Sequence, residues 1–375
     1  MKKVGIVTLH RVLNFGSVLQ AYCTCAILRR LGYDPIVIDY MEPRYTIKGA
    51  IDSLRRDFFS NRSGLKSWVV FSLKVLSFLF VHRKFSSFVN EKLPISPISY
   101  TSMRELLENP PEADIFLTGS DQVWNSEYNG GVDRAHFLDF APDGQGRIAY
   151  AASFGKDKLK VSEVDETREL LRKYSSIGVR ESSGVEIIMG LGIEPVQHVL
   201  DPTLLLSREE WGKLFAIQRP VKDPYLLVYS VERSIDDLVS KVAREIGDRL
   251  GLKVIFLTVA APLRSMARCD KQCSYSTVQD FLDYFYHADF VVASSFHGTA
   301  FSINFNRPFV SVLPPRYGAR PRSLLKLVGL DARIVEKEAD VSKQWSEIDF
   351  SVVNNVLAGE RKKSIAFLES SLRNV

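Results

Sequence analysis

The stretch from Ala288 to Val312 constrains this chain more than any other. It reads ADFVVASSFHGTAFSINFNRPFVSV. A β-rich run, Phe290 to Ala293, meets a turn of small polar residues, Ser294-Ser295, and then Phe296-His297-Gly298-Thr299. A helical pattern begins there with Ala300, Phe301 and Ile303, and Pro308 ends it ahead of a second apolar run, Phe309 to Leu313. Strand, polar turn, helix and strand make one βαβ unit, and such units build parallel sheets. Ligands of open α/β sheets bind beyond the carboxyl ends of the strands, beside the next helix N-terminus. Free N–H groups and the positive end of the helix dipole favour an anion there. Ser294, Ser295, His297, Gly298 and Thr299 are therefore a candidate anion site, with Gly298 leaving room for close approach to the backbone. A histidine in such a turn either caps the helix or does chemistry; its small polar neighbours favour chemistry.

The same alternation recurs along the chain. Lys3 to Leu9 reads as a strand, Ser17 to Gly32 as a helix, and Pro35 to Tyr40 as a second strand. The turn between the first two, Asn14-Phe15-Gly16-Ser17, is a second candidate anion or sugar site, with a plain N-cap as the alternative. It is not GxGxxG, which weakens a dinucleotide reading. Tyr100 to Asn109 reads as a short helix, and Ala113 to Thr118 as a strand entering Gly119-Ser120-Asp121-Gln122. Asp121 and Gln122 are of the types that grip sugar hydroxyls. Arg147 to Phe154 reads as a strand and Ser162 to Tyr174 as a helix; Arg180 then follows a short strand. Its planar fork suits a carboxylate or a phosphate, or a surface salt bridge with Glu181. Asp201-Pro202 reads as the turn between domains.

A second half repeats the pattern from Tyr225, and Phe350 to Leu372 reads as a closing helix. The fold class expected is α/β, with two Rossmann-like parallel-sheet domains whose strand-end loops face a cleft. The boundaries expected are 1–205 and 206–349 for the two domains, with 350–375 packing back on the first.

Composition narrows the partners. A length of 375 residues suits two cores, and a net charge of only +5 does not single out nucleic acid. A mild basic bias does suit an anionic substrate or membrane surface. MKKVGIVTLH lacks the apolar core of a signal peptide, so a cytoplasmic, reducing setting is expected. Neither Cys23/Cys25 nor Cys269/Cys273 has the spacing of a zinc knuckle, and no metal-ligand cluster stands out. Between residues 50 and 93 basic residues interleave with an apolar run, Trp68 to Val81. That run is too short and interrupted to span a bilayer. It reads either as a helix lying on a membrane or as a buried core helix, and the buried reading is preferred.

Seven blocks in one order resemble the polysaccharide pyruvyl transferase family: NFGSVLQAY (14–22), GSDQVWN (119–125), AYAASFG (149–155), VRE (179–181), LDPTLLL (200–206), SFHGTAFSI (295–303) and FNRPF (305–309). The resemblance implies a fold like the two-domain GT-B glycosyltransferases. It implies transfer of a pyruvyl (carboxyvinyl) group from phosphoenolpyruvate, as co-substrate and with no cofactor or metal, to a sugar of a surface or capsular polysaccharide precursor, forming a ketal. Some members carry Arg-Leu-His where this chain has Ser295-Phe296-His297, so Arg307 or the Arg316, Arg320 and Arg322 group would supply the missing cation. On this reading His297 and Arg180 are catalytic, with His297 as general acid and base. Ser294, Ser295, Gly298, Thr299 and Arg307 bind the donor. Asn14, Gly16, Ser17, Asp121 and Gln122 bind the acceptor, which is expected to be lipid-linked if the enzyme touches the inner membrane. A nucleotide-sugar glycosyltransferase on the same fold and a non-catalytic relative in a polysaccharide assembly complex are the alternatives.

Overall fold

A computed structural model of the protein describes residues 1–60, 62–259, 268–313, 318–340 and 347–375. The strands of its first sheet are β1 (Lys3–Val7), β2 (Asp34–Tyr40), β3 (Ile95–Tyr100), β4 (Ile115–Thr118), β5 (Gly146–Ala152), β6 (Ser176–Val179) and β7 (Val196–His198). Those of the second are β8 (Tyr225–Tyr229), β9 (Lys253–Leu257), β10 (Lys271–Cys273), β11 (Phe290–Ala293), β12 (Phe309–Val312) and β13 (Ile334–Val335). The spatial orders are β3-β2-β1-β4-β5-β6-β7 and β10-β9-β8-β11-β12-β13, and each pairing among the described residues is parallel. The α/β class with two parallel-sheet domains is thus present. Central strands such as β4, β8 and β11 are buried along their whole length, which is why they are continuous apolar runs rather than alternating ones.

Strand order reverses direction once in each sheet, between β1 and β4 and between β8 and β11. At these switch points successive connections leave to opposite sides and open a crevice at the carboxyl ends. Helix α1 (Phe15–Arg30) starts at the first crevice, and the helix Phe296–Asn304 at the second.

Aromatic packing joins the halves. Phe15, at the start of α1, lies 5.0 Å from Phe281, 5.4 Å from Phe85 and 5.9 Å from Tyr229 by ring centroid, and is fully buried. Burying such a ring is worth about 1.5–3 kcal/mol, so this contact matters to the domain arrangement. The C-terminal helix Phe350–Arg373 crosses from one half to the other. Its Ser364 Oγ accepts from Leu200 N at 2.9 Å, and its Arg361 donates to Leu204 O at 2.6 Å and to Asn304 Oδ1 at 2.7 Å.

Two expectations need correction. The segment before residue 100 holds a strand, β3, and the helix after it spans only Met103–Glu108, capped by Ser102. The apolar run near residue 70 is not a buried core helix. It belongs to α3 (Leu65–Lys92), which follows α2 (Ile47–Phe59), and of its residues only Phe71, Val81, Phe85 and Val89 are buried. Its apolar residues point to two faces, and the protein covers one.

Candidate functional site

A cleft of about 230 Å³ lies between the halves, lined by loops from the strands flanking both switch points. Leu9, Val12, Asn14 and Ser17 follow β1; Asp121 and Gln122 follow β4; Val231 and Glu232 follow β8; Ser294, Ser295, Phe296 and His297 follow β11. Tyr45, Tyr128 and Arg320 complete the chemistry of the wall.

Both helices entering the cleft are capped. Asn14 accepts from Gly16 N at 2.9 Å and Ser17 N at 3.3 Å, and Ser295 Oγ accepts from Gly298 N at 3.0 Å. These caps fix the first turns, so their remaining N–H groups and positive dipole ends face the same space.

The His297 ring rests on the backbone of the other half. A methyl on Gly16 would fall 2.0 Å from His297 Cγ and Nδ1, so only glycine fits beneath the imidazole. On its other side His297 Nε2 stands 3.7 Å from Asp201 Oδ2, an ion-pair distance longer than a hydrogen bond. Asp201 is fully committed otherwise. It accepts from Arg180 Nη1 at 2.8 Å, Ser120 Oγ at 2.8 Å, and Thr203 N and Oγ1 at 2.9 and 2.7 Å. Burial alone would raise its pKa, but His297, Arg180 and Thr203 together hold the carboxyl well below its ordinary range. Asp121 sits in the left-handed region at φ 76° and accepts from Ser17 Oγ at 2.5 Å and Arg180 Nη2 at 3.2 Å. Burial works against its ionisation too, and Arg180, His297 and Arg320 overcome it, so its pKa is lowered. That strained backbone at a strand end aims the carboxylate at Arg180 and Ser17.

The structure sorts the residues singled out from sequence into three groups. His297, Ser294, Ser295, Asn14, Ser17, Asp121 and Gln122 line the cleft, and Gly16 lies under the imidazole. Arg180 lies behind the wall with its side chain fully enclosed, holding Asp121 and Asp201 together and stacked 4.4 Å from the Phe296 ring. It joins the two carboxylates and is not among the residues that line the cleft, where its expected catalytic part would place it. Gly298, Thr299 and Arg307 do not face the cleft. A methyl on Gly298 would meet Ala293 at 2.8 Å and Tyr229 at 3.2 Å, so that glycine serves helix-to-strand packing rather than approach of a ligand. Thr299 Oγ1 pairs with Ser311 Oγ at 2.7 Å inside the second domain. Arg307 donates to Phe305 O and Ala288 O, at the amino ends of β11 and β12 and so at the opposite edge of the sheet.

Of the arginines considered for the missing cation, Arg320 lies in the cleft wall, partly exposed and 3.8 Å from Asp121 Oδ1. Arg316 lies outside the described residues, and Arg322 pairs with Glu336 away from the cleft. Among the described residues Arg320 is the only arginine or lysine lining the cleft. Its Nε and His297 Nε2 are both buried without a hydrogen-bond partner. Asp201 is the residue that sequence reasoning passed over, since Asp-Pro looked like a linker. Its place inside the LDPTLLL block was the available signal.

The fold also gathers Glu42 with Asp133 and His136, with ligand atoms within 4.8 Å of one another, although Glu42 is distant from the other two in sequence. Arg44 already pairs with Glu42 at 2.9 Å and Tyr40 donates to Asp133 at 2.9 Å, so the group is held by its own partners. The cysteines form no disulfide, and burial pushes the Cys25 thiol up to about 12, far from a metal-binding thiolate.

A sequence model of the polysaccharide pyruvyl transferase family matches residues 14–314. The chain belongs to that family. The matched range contains the cleft residues Asn14, Asp121 and His297 and also the enclosed Arg180 and Asp201. No curated protein matches the chain by sequence. Among solved structures, HepE of Anabaena in complex with UDP and glucose is similar at a TM-score of 0.50 and 7% identity, over 100% of both chains. The UDP-GlcNAc 2-epimerase of Methanocaldococcus jannaschii is similar at 0.49 and 12% identity, over 97% of this chain and 99% of that one. MurG of Acinetobacter baumannii is similar at 0.48 and 9% identity, over 100% of both chains. At such identities the likeness concerns the fold alone: this pyruvyl transferase family member has the two-domain GT-B architecture.

Proposed function

We propose that the protein transfers the pyruvyl group of phosphoenolpyruvate to two hydroxyls of a sugar in a polysaccharide precursor, as a cyclic ketal, in the cytoplasm. The observation that carries the proposal is the His297 imidazole, set beside the Asp201 carboxylate between two capped helix N-termini. His297 donates a proton to C3 of the enol, and C2 becomes electrophilic. A sugar hydroxyl adds to C2 and its proton returns to the imidazole. The C2–O bond to phosphate breaks, and a second hydroxyl closes the ring as its proton leaves with the phosphate. Of the two hydroxyl protons, one replaces that given to C3 and the other departs on phosphate. The Asp201 carboxylate, 3.7 Å from Nε2, stands where it can orient the imidazole for that step. Arg320 Nε and the helix ends meet the donor's charges. Asn14, Ser17, Asp121 and Gln122 face the acceptor.

Phosphate release from phosphoenolpyruvate, in the presence of oligosaccharide acceptors, tests the proposal, with mass spectrometry for the added pyruvyl group. Release that depends on acceptor and vanishes in His297→Ala is expected. The alternative, a nucleotide-sugar glycosyltransferase, shares the fold. Thermal stabilisation by UDP- or GDP-sugars, with none by phosphoenolpyruvate and no phosphate release, would select it instead.

A further inference from the structure

The α2–α3 hairpin carries a surface that the protein itself does not use. Along α3 the residues Leu65, Val69, Leu73, Leu76 and Phe80 fall at helical spacing on one face and are 82, 57, 55, 62 and 50% exposed. Trp68 flanks this stripe at 46% exposure. The opposite face carries Phe71, Val81, Phe85 and Val89, which are buried. The helix thus has an inner stripe anchored in the protein and an outer stripe left half or more exposed, with Phe80 at its end also meeting the Tyr275 ring edge-on at 5.2 Å.

Charge indicates what covers it. Residues 47–84 hold eight lysines and arginines (Lys48, Arg55, Arg56, Arg62, Lys66, Lys74, Arg83 and Lys84) against Asp52 and Asp57, an excess of six. The whole chain has an excess of five, so everything outside the hairpin is close to neutral. A second copy would bring the same positive charge to the same face, which opposes self-association. An anionic bilayer surface meets both features, since apolar side chains enter the acyl boundary while basic ones stay at the headgroups.

We propose that α2–α3 docks the protein on an anionic membrane surface, with the outer stripe of α3 immersed. The helix lies on the membrane rather than crossing it. Its window of mean hydropathy 1.4 is long enough to span, but Val81, Phe85 and Val89 fix its second half in the protein core. Lys84 Nζ also donates to Tyr275 O at 2.8 Å, which ties α3 to the second domain. The hairpin starts at the mouth of the cleft. Tyr45 lines the cleft, and the next residue, Thr46, caps α2 by accepting from Gly49 N at 3.0 Å. Docking therefore holds the cleft at headgroup level, where, on the reading above, a lipid-linked acceptor presents its sugars.

The test is co-sedimentation of the full chain with vesicles, without donor or acceptor, so that it reads docking apart from the chemistry. Vesicles of phosphatidylcholine mixed with phosphatidylglycerol are compared with phosphatidylcholine alone. Binding at least about tenfold stronger to the anionic vesicles is expected, given the contribution of each basic residue near such a surface. The triple variant Val69→Ser, Leu73→Ser and Leu76→Ser alters only exposed positions and should retain the circular dichroism of the parent while losing at least about tenfold in partition. The pair Lys66→Glu and Arg83→Glu should abolish the preference for anionic lipid. Equal binding to both vesicle types, no binding to either, or an unaffected triple variant overturns the proposal. So does a dimer in sedimentation velocity that the triple serine variant dissolves, because the face would then belong to a second copy.

Discussion

The two strand–turn–helix units that meet in the cleft have the same plan and opposite contents. On the first-domain side, the Asn14–Ser17 turn is bound to a buried carboxylate, with Ser17 on Asp121 and Asp121 on Arg180. On the second-domain side, the Ser294–Gly298 turn sets Phe296 against the Arg180 guanidinium and Gly298 against Ala293 and Tyr229, and delivers one imidazole. The fold supplies two equivalent helix ends. One has become a rigid polar wall, the other a mount for an imidazole, which on the proposed function meet the sugar hydroxyls and donate the proton. The comparison shows that a symmetric scaffold obtains an asymmetric site from a few side chains at its switch points.

Four substitutions put that contrast to the test. The largest effect is expected at the polar wall. From sequence alone, Arg180→Ala should fold normally and lose turnover. Its enclosure between Asp121 and Asp201 changes that expectation: removing it leaves two buried carboxylates facing each other and should cost about 3–5 kcal/mol in denaturant unfolding. On the other side, His297→Ala should keep most of its stability and lose at least about 100-fold in phosphate release, the range for an acid–base group. Near-normal turnover would remove His297 from the chemistry. Gly16→Ala tests whether the sides are coupled. Its methyl must displace the imidazole, so turnover should fall toward that of His297→Ala although the histidine is still present. Asn14→Ala removes only the cap and should cost about 1 kcal/mol of stability.

Acid stability distinguishes the sides in another way. Asp121 and Asp201 have folded-state pKa values below their unfolded ones. Their contribution is complete above the unfolded value of about 3.9 and is lost as pH falls below it. Melting temperature should therefore drop steeply below about pH 4, and less steeply in Asp201→Asn.

Much of this was readable beforehand, for definable reasons. Strand–turn–helix punctuation is local, so Asn14, Asp121 and His297 could be found from their neighbours alone. Strand order is not local, and it decides which turns meet; the pairing of β1 with β4 and of β8 with β11 came from the fold. Arg307 was misplaced because proximity to a helix in sequence does not say which end of that helix a side chain serves. Thr299 points the wrong way for a similar reason, since it is one turn position beyond the cleft-facing side. Asp201 was hidden by its proline, which suggested a hinge. Periodicity identified a helix in the apolar run of α3 but carried no information on what would cover each face.

One feature of the site governs how the molecule can work. The imidazole comes from one half, while the glycine beneath it and the carboxylate beside it come from the other. Pulling the halves apart by roughly 1 Å would separate the imidazole from that carboxylate, and on the proposed mechanism a misplacement of this size costs catalysis dearly. On the proposed mechanism the two lobes would then act as a latch: with the jaws ajar the imidazole has no companion, and donor would come and go without being consumed.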